Sequence, residues 1–430
     1  MGLAGELRGA LSNLALKATS LGLERGCRFL VTVVAAPVLG RAAFGRFAFA
    51  STITMILALS TDLGLGLWTT RALARDRGQG ASVVRVGLTL RGIAAIPFGL
   101  AVTLAAALTG DRELRGALLL LGAAALVNAF IDHVGAILRG YERFGDEARL
   151  NTLRAIATTA AGLTALNVGR SLTGLCAGLA VAAAGSCAYA VVFVMRLHPS
   201  PLRTGLDRSL TRLALEQGFP IWIGGLLSLL YFKVDTLFVR AMAGDAELGA
   251  YAAAYKLFEG AHLVPAVVMA VAFPALARAH VDPAGRLRLE RLIGSFLFGL
   301  GVGIGAACFF TAPALVAWVF GATFERSVAS LRVLAAGIPL LYLNCGLTHF
   351  LVARDRERMN TWLALMMLVV TVALDVLLVP LRAGPGAALA TVLAEVVLTV
   401  SCLAVLTIRS APARTHPSVQ ATARTDRTAA

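Results

Sequence analysis

The chain has 430 residues, 58% of them hydrophobic and only 15% charged, whereas about a quarter of the residues in a soluble domain are charged. That balance excludes a soluble globular protein and indicates an all-α integral membrane protein. The formal net charge of +15 would suggest nucleic acid in a soluble chain, but here the arginines sit in connectors between apolar stretches, and no nucleic-acid partner is implied.

Apolar stretches of about 20 residues recur along the whole chain and predict about twelve transmembrane helices. Arginines crowd alternate connectors: Arg71, Arg75, Arg77 and Arg85 after the second span, Arg139, Arg143 and Arg149 after the fourth, Arg203, Arg208 and Arg212 after the sixth. The alternation continues with Arg278, Arg286, Arg288 and Arg291, with Arg354, Arg356 and Arg358, and with the arginines of the tail. The intervening connectors are poorer, and several carry Asp111, Glu113, Asp245 or Glu325 beside their arginine. Positive-inside reasoning then puts both termini in the cytoplasm and requires an even number of spans. The first span is expected to serve as an uncleaved signal anchor.

Span one, 14–39, contains Glu24, Arg25 and Arg28. The run 29–39 is too short to cross alone, so this charged turn enters the membrane or its inner boundary. Glu24 and Arg28, four apart, can pair on one face; Arg25 has no evident partner in its own helix, and either snorkels to the headgroups or faces a polar interior. Span two, 42–68, ends in STDLGLGLW, where Asp62 caps or pairs locally. Span three includes Arg91, and span four, 118–138, carries Asn128, Asp132 and His133. Spans five and six, 150–168 and 172–194, are rich in Ala, Gly, Ser and Thr and read as closely packed scaffold.

Span seven lies in GFPIWIGGLLSLLYFKVDTLFVR, residues 218–240. Its apolar run 221–232 cannot span alone, so Lys233 and Asp235 are carried to depth, where an ionisable group costs at least about 2.5 kcal/mol and usually faces a bundle interior or wet cavity. This element predicts a polar path. Span eight, 250–275, carries Lys256, Glu259 and His262, the first two spaced for an intrahelical ion pair. Spans nine to twelve, at 293–310, 334–352, 362–379 and 387–408, hold few charges; Asp375 and Glu395 are the exceptions, placed to close the cavity or to pair with a base from the other half. The six cysteines lack CxxC spacing and imply no disulfide or metal framework, and no motif for a cofactor or for ATP is present.

Gly40-x-x-x-Phe44-Gly45-x-Phe47-Ala48-x-Ala50 reappears as Gly244-x-x-x-Leu248-Gly249-x-Tyr251-Ala252-x-Ala254. Six spans return the chain to the same side, so the halves are expected as parallel repeats about an axis along the membrane normal, with a cleft between them. The predicted organisation is an N-terminal six-helix lobe over 1–197, a cytoplasmic linker over 198–217, a C-terminal six-helix lobe over 218–409 and a disordered cytoplasmic tail over 410–430.

LGRAAFGRFAFA with STDLGLG, LLYFKVDTLFVRAMAGDAELGAYAAAYKL, and GPGAALATVLAE resemble the polysaccharide-transporter flippases, the O-antigen type within the multidrug, oligosaccharidyl-lipid and polysaccharide exporter superfamily. The resemblance implies two six-helix lobes around a central cavity. It also implies movement of an undecaprenyl-diphosphate-linked oligosaccharide from the inner to the outer leaflet of the bacterial cytoplasmic membrane, for cell-envelope polysaccharide such as lipopolysaccharide. Fixed cations in a wet cleft would ease passage of the diphosphate through a low-dielectric layer. Arg25, Arg28, Lys233 and Lys256 are the candidate substrate-binding cations, and Glu24, Asp235, Glu259 and Asp375 the candidates for charge balance or for binding a coupling proton or sodium ion. The implied partners are the lipid-linked oligosaccharide, membrane lipids and a polysaccharide polymerase. Three alternatives remain: a flippase for a peptidoglycan precursor, whose family adds two C-terminal spans; a cation-coupled small-molecule exporter, whose cavity should be acidic and aromatic; and a membrane glycosyltransferase or polymerase, which needs larger outward loops than these connectors provide.

Overall fold

The computed structural model describes residues 3–197, 207–278, 283–354 and 356–407. The remainder of the expected linker, 198–206, and the tail after residue 407 lie outside the described residues. The helices are α1 (Leu3–Leu59), α2 (Leu65–Arg75), α3 (Gly80–Leu108), α4 (Arg112–Gly140), α5 (Phe144–Gly169), α6 (Leu172–Leu197), α7 (Arg208–Ala243), α8 (Asp245–Ala261), α9 (Leu263–Arg278), α10 (Pro283–Phe320), α11 (Ser327–Ala353) and α12 (Glu357–Thr407).

A straight helix of the 57 residues of α1 would run about 85 Å at 1.5 Å per residue, far beyond a hydrocarbon core of about 30 Å. It turns back instead at Gly40 (φ 74°, ψ 167°), as α12 does at Ala383 (φ 51°, ψ −128°). Among the described residues nine helical runs are long and apolar enough to cross a membrane. Two of them, 22–59 and 358–407, fold into two spans each at these kinks, and α5, less apolar but 26 residues long, completes the expected twelve. Large apolar side chains such as Ile96, Val271, Phe310 and Leu381 face outward, as lipid contact allows and water would not.

Three boundaries differ from expectation. Span two ends at Leu59 rather than running to residue 68, because the hydroxyls of Ser60 and Thr61 bond back to the carbonyls of Leu57 and Ala58 at 2.5 and 2.7 Å and Leu63 and Gly64 then take left-handed conformations (φ 47° and 73°). The chain after this turn forms the separate helix α2. Helix α7 starts inside the stretch read as linker, since the Asp207 carboxylate caps it by accepting the N–H groups of Ser209 and Leu210 at 2.9 and 3.2 Å. Span eight breaks at His262 into α8 and α9, where Pro265 has no N–H to continue the ladder to Ala261.

Helices α1–α6 and α7–α12 form two lobes that meet at both ends. On the face predicted to be outer, the sequence repeat becomes a structural one: Gly244 has φ 84° and ψ 175°, close to Gly40. A Cβ on Gly45 would come within 1.9 Å of the Asp245 carbonyl oxygen, and a Cβ on Gly249 within 1.9 Å of that of Arg41. Arg46 clasps this contact, reaching Asp111 and Glu113 of its own lobe at 2.7 Å each and Asp245 of the other at 3.0 Å, while Arg240 holds the second oxygen of Asp245 at 2.8 Å. Phe44 packs edge-on against Phe324 at 5.9 Å. On the opposite face the closure is apolar, with Ala214 and Leu210 of α7 packed into the cluster of Leu65, Trp68 and Val83. Gly64 lies on the backbone of Gly218, which would be 2.1 Å from an added Cβ, and the Trp222 indole donates to the Leu59 carbonyl at 3.0 Å.

Candidate functional site

Between these two closures lies a cavity of about 630 Å³ lined by α1, α3–α8 and the side chains they turn inward. Its cationic corner is built from α7 and α8. Lys233 Nζ lies 3.6 Å from Glu259 Oε1 and over the ring of Tyr255, 4.7 Å from its centroid. Lys256 Nζ lies 3.0 Å from Glu259 Oε2. Two ammonium groups thus share one carboxylate, and Arg28 stands within electrostatic reach of the same group. Such a corner holds an excess of positive charge on the wall of a cavity inside the helix bundle, where it acts more strongly than at an open surface.

The facing wall comes from α1, α4 and α5. Arg154 is bracketed by Asp132 at 2.5 Å and Glu24 at 3.0 Å, and Glu24 also accepts from Arg28 at 2.7 Å. Farther along, Arg91 is paired with Asp62 and donates to the Ala129 carbonyl at 2.5 Å. Asn128, one turn before Asp132 on α4, also lines the cavity.

The structure therefore brings Glu24, Arg28, Lys233, Lys256 and Glu259 to one cavity and sets the other predicted residues elsewhere. Arg25 is exposed outside the cavity lining and makes no ion pair among the described residues; it stands near His262 at the break in span eight. Asp235 follows Lys233 by two residues, a rotation of about 200° on a helix, so one side chain enters the cavity and the other the interior of the C-terminal lobe. There Asp235 is 3% exposed and is bonded by the Tyr251 hydroxyl and, at 2.7 Å, by the Thr236 N–H. Asp375 is fully buried close to Asp235, and among the described residues neither of its oxygens has a hydrogen-bond partner; nor has the Thr371 hydroxyl one turn earlier. Glu395 accepts from Tyr231 and Asn344 at 2.6 Å each. The expectation that Asp375 and Glu395 close the cavity or meet a base from the other half is thus corrected: both are held inside their own lobe, by burial and, for Glu395, by neutral donors.

Arg154 corrects the reading of span five as scaffold. Helix α5 begins at Phe144, which puts Arg154 well inside the span, and the test applied to Lys233, a charge too deep to be terminal, would have found it. Asp132 and Asn128 were visible as polar residues of span four, but their direction depends on the packing of α4 against α1 and α5.

Residues 10–280 match the family described as "Polysaccharide biosynthesis protein". The chain is 25% identical over 389 residues to the EPS I polysaccharide export inner membrane protein EpsE of Ralstonia nicotianae, covering 86% of this chain and 88% of that protein, and 25% identical over 394 residues to EpsE of Ralstonia solanacearum, with the same coverage. Among solved structures, the lipid II flippase MurJ in an inward closed conformation aligns with a TM-score of 0.77 at 12% identity, over 90% of this chain and 87% of that one. An inward-facing multidrug resistance transporter of the MATE family in the MOP superfamily aligns with a TM-score of 0.71 at 15% identity, over 90% and 97%. At these identities the two structures establish the shared two-lobed fold.

Proposed function

This chain belongs to the polysaccharide biosynthesis protein family, and from that premise we propose that it carries a polyprenyl-diphosphate-linked oligosaccharide from the inner to the outer leaflet of the cytoplasmic membrane. The observation that carries the reading is the pair Lys233 and Lys256, facing one carboxylate in a cavity between two lobes of a membrane bundle. Entry of a diphosphate supplies the missing negative charge, and the lysines offset the cost of taking it out of the headgroup region. Arg28, on the rim of this corner, presents a guanidinium suited to phosphate oxygens. The polyprenyl chain stays in lipid beside the lobes. Both termini face the cytoplasm, as the alternation of arginines supports, and the cargo is released outward to a polymerase. The protein is a carrier rather than an enzyme.

Transport proceeds by alternating access, the outer clasp at Arg46 and the inner latch at Trp222 opening in turn. A coupling cation, a proton or sodium, binds at Asp235 and Asp375 in the C-terminal lobe. A buried carboxylate without a partner is costly unless it is neutralised, and Asp375 with the unpaired Thr371 hydroxyl beside it offers oxygens for that purpose.

The test is translocation of a labelled undecaprenyl-diphosphate oligosaccharide in proteoliposomes. Native protein should move it outward, and Lys233→Ala or Lys256→Ala, each correctly folded, should lose most of the rate. Unchanged rates in both variants would return these lysines to a structural role, and no transport by the native protein would overturn the choice of cargo.

A further inference from the structure

We propose that the wall formed by α4 and α5 is a saccharide site separate from the diphosphate corner, with Asn128 and Asp132 as its contact residues and Arg154 as the residue that positions Asp132. The inference rests on the cargo class proposed above. Asp132 lies inside a transmembrane helix, yet its side chain is 62% exposed, and the exposure is to the cavity. Arg154, itself only 11% exposed, takes one of its oxygens; the other has no hydrogen bond among the described residues. The Asn128 amide, one turn away on the same helix face, likewise opens into the cavity without a hydrogen-bond partner among the described residues.

An ionised carboxylate accepts hydroxyl protons, and an amide both donates and accepts, so the two side chains at i and i+4 can engage neighbouring hydroxyls of a sugar ring. The bond to Arg154, which Glu24 also holds, fixes Asp132 in place before the sugar arrives, so little is lost in ordering it. Glu24 and Asp132 leave this wall, with Arg154 between them, less cationic than the corner of Lys233 and Lys256, so the diphosphate is favoured across the cavity. The two chemical parts of the cargo are therefore sorted by charge. Sugars that bear carboxylates of their own fit this wall poorly, and neutral hexoses fit it well.

The experiment measures equilibrium binding of two probes to purified protein: undecaprenyl diphosphate without sugar, and undecaprenyl diphosphate bearing a neutral tetrasaccharide. Native protein should bind the glycosylated probe more tightly. Asp132→Asn should lose about tenfold in affinity for that probe, as expected for a hydrogen bond to a charged group, and Asn128→Ala a few-fold. Asn128→Ala should bind the bare probe as the native protein does and Asp132→Asn at least as tightly, whereas Lys233→Ala should weaken both probes alike. Asn128→Ala removes no ion pair and keeps the test decisive if Asp132→Asn does not fold. Equal weakening of both probes by the α4 variants, or no weakening of either, overturns the saccharide site. Native protein that binds the two probes equally overturns it while leaving the diphosphate corner intact, and native protein that binds neither overturns the cargo reading as well.

Discussion

Gly45 and Gly249 do the same thing from opposite lobes: each lays a bare Cα against a carbonyl of the other lobe, with room for a Cβ wanting by the same margin. The carbonyls belong to Asp245 and Arg41, which occupy matching places in the repeat, so the contact has a local twofold relation along the membrane normal.

Gly45→Val should force this contact apart. Inserting side-chain atoms where none fit costs about 1–3 kcal/mol, and opening the outer side relieves it. Cys27 lines the cavity, and in a variant without the other cysteines its labelling by an impermeant maleimide from outside should rise several-fold. Labelling at the native level would show that the glycine contact does not hold the outer closure.

Arg46→Glu places a negative charge among Asp111, Glu113 and Asp245 and should shift the same equilibrium outward, with a fall in transport. Replacing Asp245 with Arg in addition should recover part of the closure, measured by the same labelling. Failure of the second change to alter the first would indicate that Asp245 is held chiefly by Arg240.

Trp222→Phe keeps the ring and removes the donor to Leu59. At about 1 kcal/mol for a neutral hydrogen bond, cytoplasmic labelling of Cys27 should increase about fivefold. An unchanged rate would assign the inner closure to the Gly64–Gly218 contact and the packing of Ala214 on the N-terminal lobe.

How much of this was legible beforehand varied with the distance between partners along the chain. Glu24 with Arg28 and Lys256 with Glu259 follow from helical spacing alone, and both pairs are formed. The pairs Arg91–Asp62 and Arg154–Asp132 join different helices, and nothing in local spacing selects one partner over another. The repeat around Gly40 and Gly244 was readable as a pattern, but the need for glycine at positions 45 and 249 arises only when two backbones touch. Helix α7 carries both Lys233 and Asp235, and that they point into different compartments of the molecule follows from helix geometry once one of the two faces is known.

Asp375→Asn removes an ionisable group that has no hydrogen-bond partner among the described residues. The variant should unfold a few degrees higher than the native protein in sodium-free buffer and should lose both stabilisation by added sodium and acceleration of transport by a sodium or proton gradient. A native protein indifferent to both cations, in stability and in rate, would rule out coupling at this carboxylate.

The two ends of the cavity are fastened by different chemistry, the end predicted to be outer by Arg46 and Arg240 around Asp245 and the opposite end by Trp222 on Leu59 and the apolar seat of Ala214. Added salt weakens the ion pairs of the first and leaves the apolar second, so ionic strength shifts the balance between the two openings. An idle carrier of this kind therefore has its resting state set in part by the ions around it, before any cargo arrives.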